Sequence, residues 1–432
     1  MAEVRPFRGL RYNREIVRDL GQVICPPYDV ISPEQQNILY HRSPYNIVRL
    51  EHGQALHGDD AENNRHTRAA AVFTEWRDKG VLRLDTMPSI YVHDHFFGEN
   101  GELKRRGFVA RVRLEPPEKR TVLPHENTVS GIKSDRLMLL RACRTNISPI
   151  FVLYHDQSGR IADILEQATK AKPIADCTVP EGEGHRLWAI TDTVSIEGIS
   201  RVLYGQTLYI ADGHHRYETS MAYQQEMLSK AASYTGQEGF NFIMMTLVSF
   251  DDPGLIIYPI HRMVHGLTPA AIRRLEKAFE DVFDVQYVTL DVASDSARLL
   301  GETKGLFVVV GLVEGKAGIC RIRADLNVDR MMPAERSSTY RRLAVSLLHH
   351  LVLDRLPEYS EGQASITYTH DEVEACKAVR EGVCQVAVLL PPTSPSTIKE
   401  IADSGDRMPG KSTFFYPKLP TGLVLNYLET SP

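Results

Sequence analysis

Long runs of one residue type are missing from this sequence. No stretch approaches the roughly 18 consecutive apolar residues that a membrane-spanning helix needs, although 43% of the 432 residues are hydrophobic. The densest basic run is Lys104, Arg105 and Arg106. Against 55 Asp and Glu stand 50 Lys and Arg, a formal charge of −5. That balance argues against a protein that coats nucleic acid or an anionic membrane. The six cysteines (Cys25, Cys143, Cys177, Cys320, Cys376, Cys384) form no CxxC pair, which excludes a disulfide scaffold and predicts reduced thiols in a cytoplasmic protein. The first 21 residues alternate charged with apolar side chains and do not read as a signal peptide. A GxSxG elbow and a GxGxxG fingerprint are also absent, which removes the commonest hydrolase and dehydrogenase readings.

What is present suffices for two or three hydrophobic cores. The alternation in 89–97, the turn residues of 98–101 and the return in 102–114 predict a β-hairpin. Helices are expected over 69–80, 159–171, 269–280 and, as one long element, 338–356. Strands are expected over 186–192, 207–211 and 305–313, and 229–239 reads as a linker or mobile loop. The aromatics in the Pro- and Gly-rich tail, 405–422, predict that it folds back onto the body. The expected division is a β-rich region at 1–120, a core at 121–240 and an α+β region at 241–432.

The densest chemistry lies in 206–230, where an apolar strand runs into Asp212-Gly213-His214-His215-Arg216 and a helix follows. A strand, a tight turn and a helix N-terminus together offer backbone N–H groups to an anion. Gly213 allows the turn. Arg216 in a first helical turn opposes the helix dipole, which a phosphate at that terminus would explain. Asp212 could hold a divalent cation against the phosphate, with the histidines donating hydrogen bonds. In the plainer reading, Asp212 only caps the helix.

Other groups add to this one. Tyr28 and Asp29 follow a rigid Pro-Pro pair, and Asp29 is a candidate general base or metal ligand. His125, Glu126, Thr128, Lys133, Asp135 and Arg136 precede a helix for which Ser134 is the expected N-cap. Lys133 and Arg136 would neutralise polyphosphate, and Glu126 would bind magnesium or act as base. GDRMPGKS (405–412) matches the P-loop pattern, but a helix is expected before it and Pro417 follows soon after, so the P-loop reading fails. Lys411, Ser412 and Tyr416 remain pocket candidates. His93 and His95 share a strand face, yet no further ligand stands at a recognisable spacing, which favours a structural or surface role.

ADGHHRYE (211–218) resembles the signature of the ParB and sulfiredoxin-like superfamily, in which this turn binds nucleotide phosphates. More closely, PFRGLRYN, CPPYDVIS, NIVRLE, LPHENT, ADGHHRYE and MPGKSTFFYPKLPTG together resemble the family filed as domain of unknown function 1015. The paired histidines are most similar to free-serine kinases; sulfiredoxins carry a Cys where His214 stands. The resemblance implies an α+β fold with mixed sheets and a ParB/sulfiredoxin-like nucleotide-binding core. It also implies a phosphotransferase that uses ATP or ADP with Mg2+ on a small hydroxyl compound such as free serine. Asp212 and Glu126 are the candidate metal ligands, and Asp29, Glu126, Asp212 and His215 the candidate catalytic groups. Gly213, His214, His215, Arg216, Lys133 and Arg136 would hold phosphate, with Tyr28, His125, Lys411, Ser412 and Tyr416 around the substrate. A small-molecule phosphatase and a ParB-like regulator that contacts DNA are the alternatives. The expected partners are a nucleotide and a small molecule, with no membrane; a homo-oligomer is left open.

Overall fold

A computed structural model describes residues 2–128, 130–231, 233–289 and 306–429. The chain forms two compact units. The first comprises Met1–Pro124, Thr128–Ile256 and Pro417–Pro432, the second His125–Asn127 and Ile257–Tyr416. Several sheets mixed with helices agree with the α+β expectation.

The first unit is built on a nine-stranded sheet. Its strands are Val4–Arg5 (β1), Ile90–Phe97 (β2), Leu103–Arg113 (β3), Val122–Leu123 (β4), Ile150–Tyr154 (β5), Ala175–Thr178 (β6), Gly184–Ile190 (β7), Leu208–Asp212 (β8) and Phe242–Ser249 (β9). The order is β4-β8-β5-β9-β3-β2-β7-β6, with β1 paired to β3. β4 runs parallel to β8 and β5 parallel to β9, and the other neighbours are antiparallel. The expected hairpin is β2 and β3, with Tyr91 opposite Val109.

Strand alternation sends successive side chains to opposite faces, and helices cover both. On one face Tyr91, Val109 and Met244 pack with Leu39 of Pro33–Arg42 (α1), Leu50 of Val48–Glu51 (α2), Phe73 and Trp76 of Arg65–Asp78 (α3) and Leu139 of Ser130–Cys143 (α4). On the other, Ile90, Val92, Phe108 and Ile210 pack with Ile161 and Leu165 of Arg160–Ala168 (α5) and Ile199 and Leu203 of Thr193–Leu203 (α6). His214–Lys230 (α7) follows β8 and packs on α4.

Several expectations are corrected by local chemistry. The stretch read as β-rich also holds α1 to α3; Ser32 caps α1 with Pro33 in its first turn, and Asn64 with Thr67 forms a capping box on α3. α4 begins at Ser130, so Ser134 is not its cap, and Lys133, Asp135 and Arg136 lie inside the helix. The 229–239 stretch starts as the last turn of α7 and leads to β9 within the first unit, so it links no domains.

The second unit has a six-stranded antiparallel sheet. Its strands are His261–His265 (β10), Phe283–Thr289 (β11), Phe307–Val310 (β12), Lys316–Ile322 (β13), Ser365–Thr369 (β14) and Val386–Leu389 (β15), in the order β11-β13-β12-β15-β10-β14. Pro269–Val282 (α8), Glu372–Arg380 (α9) and Pro395–Asp403 (α10) belong to this unit. The long helix expected over 338–356 is broken. Ser338–Arg342 and Ala344–Leu351 are separated by Leu343, whose backbone is extended (ψ 131°) and whose side chain is buried. Tertiary burial overrides helical periodicity there.

The tail folds back as expected. Thr421 bridges to Cys25 and Leu425 to Leu10, and Asn426–Tyr427 pairs with Thr145–Asn146. The Asn146 side-chain oxygen accepts hydrogen bonds from the Met244 amide (3.1 Å) and from Asn426 Nδ2 (2.9 Å). Asn146→Ala strips both buried donors of their acceptor and should cost about 1–3 kcal/mol. Hydrogen exchange should rise most over 421–428. Unchanged stability and unchanged exchange there would show that this amide does not anchor the tail.

Candidate functional site

The turn after β8 is shaped by two backbone devices. Ile210 pairs with Val152 and Asp212 with Phe151, which leaves Ala211 as the extra residue of a bulge. Gly213 then takes φ 94°, a left-handed conformation open to glycine, and α7 starts at His214. The Asp212 carboxylate accepts its neighbour's amide at 2.8 Å through Oδ1.

Asp212 lies between two cations. Lys418 Nζ, brought by the tail, donates to Oδ2 at 3.1 Å, and Arg216 Nη2 stands 4.0 Å from Oδ1. Burial raises the Asp212 carboxyl, but Lys418 and Arg216 outweigh that and hold it well below the usual carboxylate range. Arg216 folds back over the turn, where a Cβ on Gly213 would lie 3.0–3.1 Å from the guanidinium. Its Nη1 donates to the Pro149 carbonyl at 2.7 Å, and Asp212, Asp29 and Glu51 supply opposite charge. These carboxylates offset the dipole conflict expected at Arg216.

A second layer of charge lies behind this pair. Glu51 at the end of α2 is 2% exposed and accepts from the Ser148 hydroxyl at 2.9 Å. Arg136 donates to the Glu51 carbonyl at 2.8 Å, binds Asp135 through two nitrogens (2.9 and 2.6 Å) and stacks 4.1 Å above the Tyr28 ring. Asp135 in turn takes Arg65 and His66. Burial pushes the Glu51 carboxyl above its usual range, and Arg136, Arg216 and Ser148 offset this only in part. Glu51, Arg136, Ser148, Arg216, Thr219 and Ser220 line a cavity of about 50 Å³. That volume suits a few waters and is far below the few hundred Å³ of an ordinary ligand pocket.

Of the residues singled out from sequence, Tyr28, Asp29, Arg136, Asp212, Gly213, His214 and Arg216 gather here. His215 is half-buried in the first turn of α7. Lys133 belongs to a neighbouring pair: its ammonium is 2.9 Å from the Glu218 carboxylate, which also accepts from Thr128. His125, Glu126, Lys411, Ser412 and Tyr416 lie in the second unit. There His125 Nε2 is 3.2 Å from Thr413 Oγ1, the Lys411 amide donates to Glu126 at 2.9 Å, and the Ser412 hydroxyl donates to the Pro409 carbonyl. The Tyr416 ring packs on Tyr258 with centroids 5.2 Å apart. The 405–412 stretch follows α10 and precedes the strand Phe414–Tyr416, so the P-loop pattern is accidental, as expected.

Sequence reasoning missed Glu51 and Lys418. Both stand inside the quoted motifs, NIVRLE and MPGKSTFFYPKLPTG. Lys418 lies between buried Pro417 and Leu419, a placement that a lone lysine letter does not reveal.

A family model described as protein of unknown function (DUF1015) matches residues 4–346. The chain belongs to the DUF1015 family. No curated protein matches it. Among solved structures it is similar to a free serine kinase mutant in complex with AMP, with a TM-score of 0.41 and 11% identity over 74% of this chain and 92% of that chain. A conserved hypothetical protein from Pyrococcus furiosus gives a TM-score of 0.37 and 10% identity over 74% and 95% of the two chains. SbnI with a C-terminal truncation, from Staphylococcus aureus, gives 0.37 and 11% over 75% and 90%. At these scores the likenesses carry no argument about ligand or reaction.

Two predictions follow from the geometry. Gly213→Ala forces a left-handed alanine against Arg216 and should destabilise the fold by about 1–3 kcal/mol, read by denaturant titration; a neutral effect would refute the constraint. Glu51 titrates higher folded than unfolded, so its contribution is most favourable below the unfolded value and is lost as pH rises through the folded one. Glu51→Gln should therefore gain stability relative to the parent chain between pH 4 and pH 8. A difference independent of pH would exclude the raised carboxyl.

Proposed function

We propose that this DUF1015 protein is a nucleotide-dependent phosphotransferase whose phosphate site is the Asp212–Arg216 turn. The observation that carries the reading is the convergence of Arg216, Lys418 and Arg136 with Asp212 and Asp29 around the start of α7. Phosphoryl transfer asks a protein mainly for positioning and charge stabilisation. A helix N-terminus flanked by cations suits a terminal phosphate. A ParB/sulfiredoxin-like core is part of this reading, with ATP or ADP as donor and a small alcohol as acceptor. Free serine is the first acceptor to test, on the sequence resemblance alone.

In this scheme Arg216 and Lys418 bind phosphate oxygens, and Lys133 meets a more distal charge. The acceptor oxygen attacks the terminal phosphorus, the bond to the leaving nucleotide oxygen breaks, and Asp29 takes the hydroxyl proton. Magnesium needs oxygen ligands and keeps several waters. The Asp212 carboxylate fits it, since each oxygen has a second lone pair beside its contact with Gly213 or Lys418. When bound, the ion would neutralise phosphate charge. The small cavity behind Arg136 is too tight for a nucleotide, so the nucleotide lies outside it.

The test is a thermal-shift and 31P NMR screen of nucleotides against serine-like alcohols, with magnesium and with chelator. Asp212→Asn combined with His215→Ala should abolish nucleotide-dependent turnover while the protein stays folded. Asp29→Asn should lower turnover at least 100-fold and keep nucleotide binding. Full activity in the double variant, or release of phosphate without any nucleotide, would overturn the reading.

A further inference from the structure

Away from the α7 turn, the first unit holds a buried cluster of imidazoles. β7 and β2 pair so that His185 lies directly opposite His95, and β2 and β3 pair so that Arg105 lies opposite His95 on its other side. The His95 and His185 rings are 4.3 Å apart. His93, two residues along the same face, places Nε2 3.2 Å from His185 Nδ1. Glu183, just before β7, brings Oε2 to 2.7 Å from His95 Nε2. The three histidines are 4% exposed or less, whereas the Glu183 side chain is 32% exposed. One donor atom from each of His95, Glu183 and His185 lies within 4.8 Å of the others.

We propose that His95, Glu183 and His185 form a binding site for a divalent first-row transition ion of the zinc class. Two imidazoles and one carboxylate are a donor set that suits zinc and its neighbours and suits neither calcium nor magnesium. Donors on a tetrahedral ion with bonds near 2.1 Å stand about 3.4 Å apart, so the His95–Glu183 pair, at 2.7 Å, would open and wider pairs, up to 4.8 Å, would close. The contact with His93 serves as the outer support that orients a metal-bound imidazole: with the His185 proton on Nδ1, its Nε2 is the ligand atom. Three protein ligands leave one position open. Buried Arg105 is close by: Nη2 is 3.4 Å from His95 Nδ1, and Nη1 has no hydrogen-bond partner among the described residues. Glu183 and Asp252 already supply opposite charge to this guanidinium, so the open position is left to water. Glu183, the exposed member of the set, marks the side from which the ion enters.

The experiment uses the full chain, stripped with chelator and titrated with Zn2+ by calorimetry and with Co2+ by absorption. One ion per chain is expected, with the intense visible spectrum of tetrahedral cobalt and no displacement by excess Mg2+. Glu183→Gln, a conservative change at the half-exposed ligand, should weaken binding roughly tenfold to hundredfold. His185→Gln should abolish the cobalt spectrum, whereas His41→Ala, at an exposed histidine, should change nothing. Circular dichroism checks the fold of each variant, and if His185→Gln is unfolded, Glu183→Gln decides. Absence of binding by the parent chain, or equal affinity and spectrum in Glu183→Gln, would overturn the proposal and leave the cluster as a hydrogen-bonded part of the core.

Discussion

A carboxylate taken out of water is tolerated only where cations reach it, and Asp212 meets that demand from two directions. Arg216 comes from the next turn of the same chain segment, Lys418 from 206 residues further on. Much of the local architecture serves this meeting. The bulge at Ala211 re-aims the end of β8, Gly213 admits the guanidinium against the backbone, and the pairing of Asn426–Tyr427 with Thr145–Asn146 holds the tail where Lys418 arrives. The charges of the turn are therefore a property of the folded unit.

Behind this pair the charges alternate. Arg216 feels Glu51, Glu51 is met by Arg136, and Arg136 is gripped by Asp135, which also takes Arg65 and His66. Alternation inside a low-dielectric interior makes each group depend on the next. Glu51 is the imperfect member, with burial exceeding the help it receives. Such an imbalance is one of the features by which functional sites differ from the rest of a protein.

Much of the first unit was legible in the sequence because its signals are local. The β2–β3 hairpin, α3, α5 and the β8–α7 turn each rest on alternation, helical spacing or a glycine within a few residues. Tyr28, Asp29, Arg136, Asp212 and Arg216 were singled out because reactive side chains crowd short motifs. Glu51 and Lys418 escaped, since one hides in an apolar motif and the other earns its place only through tail pairing. The partners of His95 escaped for a related reason: His185 on β7 and Glu183 just before it stand about ninety residues away, brought in by sheet register. The break at Leu343 has no proline or glycine to announce it, and α4 begins four residues before its expected cap.

The return of the tail has a consequence for how the protein is made. The chain completes all nine strands of the first sheet by Ser249, then spends residues 257–416 on the second unit before Lys418 exists. A ribosome therefore releases this countercharge of Asp212 only after the second unit has been synthesised. Until then the nascent first unit carries Asp212 without its lysine and the Asn146 oxygen without its tail donor. A product cut short at residue 416 would keep the sheet yet lack both, so the turn becomes chemically complete only after the second unit has been made.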